Sequence, residues 1–160
     1  MNSTQVSATV PYSVAGTAQT SLTISSDGLA SAPATLAVAP SSPAIFTADS
    51  SGKGQASAEN ADYTINGPSH PATAGSFVAL YGTGGGPLTT DTPPRLMLPV
   101  SATVGGLPAQ VFYSGIAPGL VQGVMQINVA IPSAVTPGPS VPVVVSIGNA
   151  ISNTVTIVVQ

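Results

Sequence analysis

Few groups in this chain can do acid, base or metal chemistry: one His, five Asp or Glu, and two Lys or Arg. His70 stands in "NGPSHPAT". A zinc site built on it would need carboxylates as its only companions, because there is no second His and no Cys, and such donor sets are uncommon. A serine nucleophile is held on a sharp strand-to-helix elbow, and the G-x-S-x-G pattern that builds one does not occur. His70 therefore reads as an exposed loop residue. Asp49, Glu59 and Asp62 surround "SSGKGQASA". Carboxylates and carbonyl oxygens are what calcium takes as ligands, but the EF-hand spacing is absent. These three read as solvated loop acids, as do Asp27, in the turn "SSDG", and Asp91. Lys53 lies between glycines, which argues for exposure and against an intramolecular Lys–Asn crosslink, a bond that needs a buried lysine.

Two other stretches invite a functional reading. "GTGGGP" at 82–87 has the glycines of a phosphate-cradling loop, yet no Lys-Ser/Thr follows and no helix is predicted after it. It reads as a wide loop between strands. Phe77 and Tyr81 share one face of a predicted strand. A sugar platform and a core-facing stripe both fit that spacing, and the stripe is the expectation. Asn2-Ser3-Thr4 matches the N-glycosylation acceptor pattern. No catalytic, cofactor-binding or metal-ligating residue is assigned.

The elements that carry these residues are strands. Runs rich in Val, Ile, Thr and aromatics recur at 5–10, 21–25, 33–38, 76–81, 100–104, 110–113, 124–131, 141–147 and 152–159. Turn signals such as "VAGTA", "SSDG", "VGGLP", "TPGPS" and "GNA" separate them. With 17 Gly and 16 Pro spread along the chain, no window of helical length survives. Short strands at this spacing predict an all-β antiparallel sandwich or barrel. Val104, Val111, Ile127, Val129, Val145 and Ile157 are expected in its core. "AVAPSSPAIFTADSSGKGQASAEN" is less patterned and reads as a connection, with one short strand at 44–47.

Composition bounds the partners. The chain is 43% hydrophobic and only 4% charged, with a net charge of −3. Ordinary globular domains carry roughly a quarter charged residues. With Lys53 and Arg95 as its only basic side chains, electrostatic binding to nucleic acid or anionic lipid is nearly excluded. No apolar run is long enough to span a bilayer as a helix. A neutral, Ser/Thr-coated β protein fits an extracellular setting or a polymer. The opening "MNSTQVSATV" has no charged n-region and no continuous apolar h-region, so an exported chain is expected to be a mature or excised piece.

The chain also repeats itself. At an offset of 121 positions Gln5 falls on Gln126, Pro11 on Pro132, Val14 on Val135, Ser25 on Ser146, Ser31 on Ser152, Thr35 on Thr156 and Val38 on Val159. "SLTIS" then overlies "PVVVS", and "ATLAV" overlies "VTIVV". Matching at a fixed offset marks duplicated modules. The later copy is preceded by further predicted strands; the earlier is not. Residues 1–39 thus read as the closing strands of one module, and 40–160 as a complete second module.

"PAIFTADSSGKGQ", "NGPSHPATAGSFVALYGTGGGP", "LPVSATVGGLPAQVFYSGIAPGLVQGVMQINVAIP" and "VPVVVSIGNAISNTVTIVV" together resemble the Ig-like C-terminal β modules found in tandem in secreted acidobacterial proteins. The resemblance implies an Ig-like sandwich and an exported location, and it supplies no catalytic residue. The expected function is a non-catalytic structural module, a spacer or filament subunit whose partners are copies of itself in head-to-tail contact. A carbohydrate-binding or adhesive module is the alternative.

Overall fold

Val, Thr and Ile in alternation leave the backbone little choice but extended pairing, and fifteen strands form among the described residues. The computed structural model describes residue 6 and residues 8–160. The only helical element there is a single 3-10 turn at Tyr12–Val14. The run at 5–10 falls largely outside the described residues, and its described part is irregular. The acceptor pattern Asn2-Ser3-Thr4 lies outside them altogether.

The chain divides into two compact units, Met1–Pro40 and Ser41–Gln160. In the first, β1 (Gln19–Leu22) pairs antiparallel with β4 (Ala34–Ala37). Between them β2 (Ser25–Ser26) and β3 (Leu29–Ala30) form a tight hairpin. Its turn, Asp27-Gly28, has φ of 51° and 79°, the left-handed conformation that Asp and Gly tolerate.

The second unit has two sheets. Its strands are β5 (Ala44–Ile45), β6 (Gly54–Gln55), β7 (Ala58–Asn60), β8 (Phe77–Thr83), β9 (Val100–Val104), β10 (Leu107–Ala109), β11 (Val111–Ile116), β12 (Met125–Ala130), β13 (Gly138–Ile147), β14 (Ala150–Ile151) and β15 (Val155–Val159). One sheet runs β10-β9-β13-β15-β6, with β14 on β13; the other runs β11-β12-β8-β5, with β7 on β8. All pairings are antiparallel except β15 with β6. Inward side chains of both sheets meet in one core: Val78, Leu80, Ile127 and Val129 from one, Val104, Val143, Val145 and Ile157 from the other. Each large side chain buried this fully contributes about 1.5–3 kcal/mol. The chain is therefore all-β and sandwich-like. Five of the six expected core residues are buried; Val111 is partly buried at the margin.

The stretch expected as a connection is part of this unit. Its residues 44–60 form β5, β6 and β7, and Ile45, Ala56 and Ala58 are buried. β5 falls within the strand expected at 44–47; β6 and β7, two and three residues long, were not expected, because the apolar side chains buried beside them are only Ala56 and Ala58 and no run of bulky residues betrays them.

Side-chain amides stand in for backbone where the strands fall short. Asn66 Nδ2 donates to the Val158 carbonyl at 3.0 Å, and Asn66 Oδ1 accepts from the Val158 N–H at 2.9 Å. Gln55 and Asn60 complete the network around it. Asn153 does the same for Ile45, accepting from its N–H at 2.7 Å and donating to its carbonyl at 3.0 Å.

Over three ladder pairs and the hairpin that follows, the offset of 121 is reproduced in the pairing. In the first unit Thr20 pairs with Leu36, Ser21 with Thr35 and Leu22 with Ala34; in the second Val141 pairs with Ile157, Pro142 with Thr156 and Val143 with Val155. The Ile24 N–H donates to Ser31 Oγ, which donates to the Ala32 carbonyl. The Val145 N–H donates to Ser152 Oγ, which donates to the Asn153 carbonyl. The turn bond Val14 N–H to Pro11 carbonyl recurs as Val135 N–H to Pro132 carbonyl. The two hairpins share register too.

Asn66→Ala strips the Val158 N–H of its partner inside the core. The expected cost is about 2–4 kcal/mol. Urea unfolding checks it, as a fall in the midpoint with an unchanged slope.

Candidate functional site

The acids sit apart, on separate turns and, for Glu59, on a strand. Asp49 Oδ1 accepts from the Ser51 N–H at 3.0 Å and the Ser51 hydroxyl at 2.8 Å. Asp62 Oδ1 accepts from the Thr64 hydroxyl at 2.6 Å and the Thr64 N–H at 3.1 Å. These bonds hold the Asp49 and Asp62 carboxyls below the usual carboxylate range, chiefly through the Ser51 N–H in one and the Thr64 hydroxyl in the other. Glu59 is on β7. The three are not assembled, and among the described residues no group of three or more His, Cys, Asp or Glu could hold a metal ion. His70 and Lys53 are exposed, and the His70 main chain closes a turn with Gly67. Asp91 accepts from the Thr89 hydroxyl in an exposed loop.

The glycines of "GTGGGP" serve close packing. A Cβ on Gly82 would overlap the Ala44 carbonyl, one on Gly84 the Ser42 carbonyl, and one on Gly85 the Leu96 side chain. Bare backbone lets the end of β8 lie against the segment that opens the second unit.

The stripe of Phe77 and Tyr81 faces outward, against the expectation of a core-facing stripe. Val78 and Leu80, between them, take the core positions. With apolar bulk on both faces of β8, alternation alone could not say which side was inward. Register then brings in residues that sequence reading missed. Phe112, at the β11 bulge, meets Phe77 edge to face, with centroids 6.3 Å apart. With Asn128 they line a shallow hollow of about 300 Å³. Asn128 accepts from Gln126 Nε2 at 2.9 Å. Tyr113, opposite Asn128, lies beneath the Arg95 guanidinium, 4.3 Å from the ring centroid. Partial burial, with the Glu59 charge, pushes the Tyr81 hydroxyl above its ordinary range. The outer face of this sheet is thus aromatic and amide-rich, with Arg95 and Glu59 as the charges beside its rings.

A second surface lies in the first unit. Its apolar side chains occupy the positions that form the core of the second, yet they are exposed. Leu22, Ile24 and Leu36 are 45%, 49% and 44% exposed, while their equivalents Val143, Val145 and Ile157 are all at 0%. Among the described residues of the first unit none is buried.

No family model, no curated protein and no solved structure matches the chain.

Two outcomes are expected. EDTA leaves the melting temperature unchanged; a fall of several degrees would reveal a native-state cation. Gly84→Ala, at φ +78° and against the Ser42 carbonyl, lowers stability by more than about 1 kcal/mol in chemical denaturation.

Proposed function

We propose that the chain is a non-catalytic structural module, Ig-like in fold, of a secreted or cell-surface bacterial protein. It acts as a spacer or filament subunit, joined head to tail to copies of itself through β-strand contacts. One observation carries this reading. The same closing strands are written twice in one register, once around a filled core and once with the corresponding side chains exposed. Contacts that join dissimilar surfaces propagate in a line unless they close. The low charge fits, since it leaves little repulsion between copies. An extracellular place rests on the Ser/Thr-rich surface and the family resemblance.

Sedimentation tests the assembly. The expected result is reversible growth in mass with concentration, suppressed by Leu22→Asp with Leu36→Asp and with no change in the melting of the second unit. A monomer at every concentration would overturn it.

The alternative is a glycan-binding module, favoured by the outward Phe77, Phe112 and Asn128 hollow. Aromatic rings beside amides stack on sugars and bond their hydroxyls. On a polysaccharide array, binding that Phe112→Ala abolishes would establish this second role; no binding would dismiss it.

A further inference from the structure

The exposed face of the first unit is bounded by an open strand edge, and the second unit shows what belongs there. The N–H and carbonyl of Ile24 both bond Ser31. Backbone groups alternate along a strand, so those of Thr23 and Ser25 point to the other edge. No strand pairs that edge among the described residues. In the second unit the equivalent edge, Val143–Ile147, carries β9, with Val143 opposite Val104, Val145 opposite Ala102 and Ile147 opposite Val100.

We infer that the first unit is an acceptor for the opening strands of another module of this repeat. The strand that docks is of the type "VSATV", antiparallel on residues 22–26. Transferred to the first unit, the β13–β9 register sets Leu22 against the Val104 position, Ile24 against the Ala102 position and Ser26 against the Val100 position. The inference rests on the structural reading above and names what the contact consists of. The occupant is an uncharged, extended segment with small and β-branched side chains, because that is what covers the repeated strands. The opening strands of the second unit already cover residues 125–160, so a folded copy offers them to the first unit only by exchange, and a free opening strand displaces such a contact.

The test adds the synthetic peptide LPVSATVGGLPAQ, residues 98–110, to the full-length chain and follows backbone amides by NMR. Saturable shifts at residues 22–26 with slowed exchange at Thr23 and Ser25 are expected, together with a loss of concentration-dependent mass. A scrambled peptide gives neither. Ile24→Asp, which sets a carboxylate on the contacted face, is expected to weaken binding at least tenfold; Leu29→Asp, at the hairpin tip, leaves it unchanged. If self-association persists but the peptide does not bind, the strand assignment falls and the structural reading stands. If the chain is monomeric and the peptide binds residues 22–26, the assignment holds and self-assembly falls. Shifts confined to residues 41–160, or slow exchange at Thr23 and Ser25 in the free chain, would overturn the inference.

Discussion

A β-strand with one apolar face has no stable place in water until another layer covers it, and that constraint organises this chain. In the second unit it is met completely. The closing strands β12, β13 and β15 carry Ile127, Val143, Val145 and Ile157, and strands β5 to β11 supply the facing side chains and the ladder neighbours. The remaining features follow from fitting short, irregular opening strands onto long, regular closing ones. Gly82, Gly84 and Gly85 remove side chains where the backbone must approach. Asn66 and Asn153 extend the hydrogen-bond ladder where β5 and β6 are too short to do so.

Strands with bulky β-branched residues at period two were legible in the sequence: β9 was placed to the residue, and β8, β12, β13 and β15 to within a few. The duplication was legible because Gln, Pro and Ser mark a frame that Val and Thr alone would blur. What escaped were the elements built from small residues. Ala56 and Ala58 fill the edge of the core without bulk, so β6 and β7 looked like a connection. The amide clamps escaped for another reason. Asn66, in "NGPSHP", signals a turn in any local reading, and its role depends on Val158, which lies in the last strand.

The candidate surfaces were legible only in part. His70, Lys53 and the acids were read as loop residues, and the structure places each on an exposed turn or, for Glu59, on the partly exposed strand β7. The outward Phe77 and Tyr81 were visible as a pair but not as a side. Deciding that required knowing that Leu80 sits opposite Ile127, and so faces the core. Phe112 and Arg95 joined the same face through a bulge and a loop, which no spacing in the chain announces.

The two copies of the closing strands differ where a difference has consequences. Leu22, Ile24, Leu36 and Val38 match Val143, Val145, Ile157 and Val159 in kind, so the first unit keeps the face. Ala34 stands where the second unit has Val155, and Ala32 where it has Asn153. The Asn153 side chain holds Ile45 and Gly52 of the opening strands by three hydrogen bonds. An alanine side chain has neither donor nor acceptor, so a segment seated on the first unit lacks that clamp. Each bond of this kind contributes about 0.5–1.5 kcal/mol net. The face and the ladder edge therefore remain, while a device that fixes the opening strands permanently in the second unit is gone. Under the docking inferred above, the contact would be apolar and register-specific but separable, the property that distinguishes a joint between modules from a core within one.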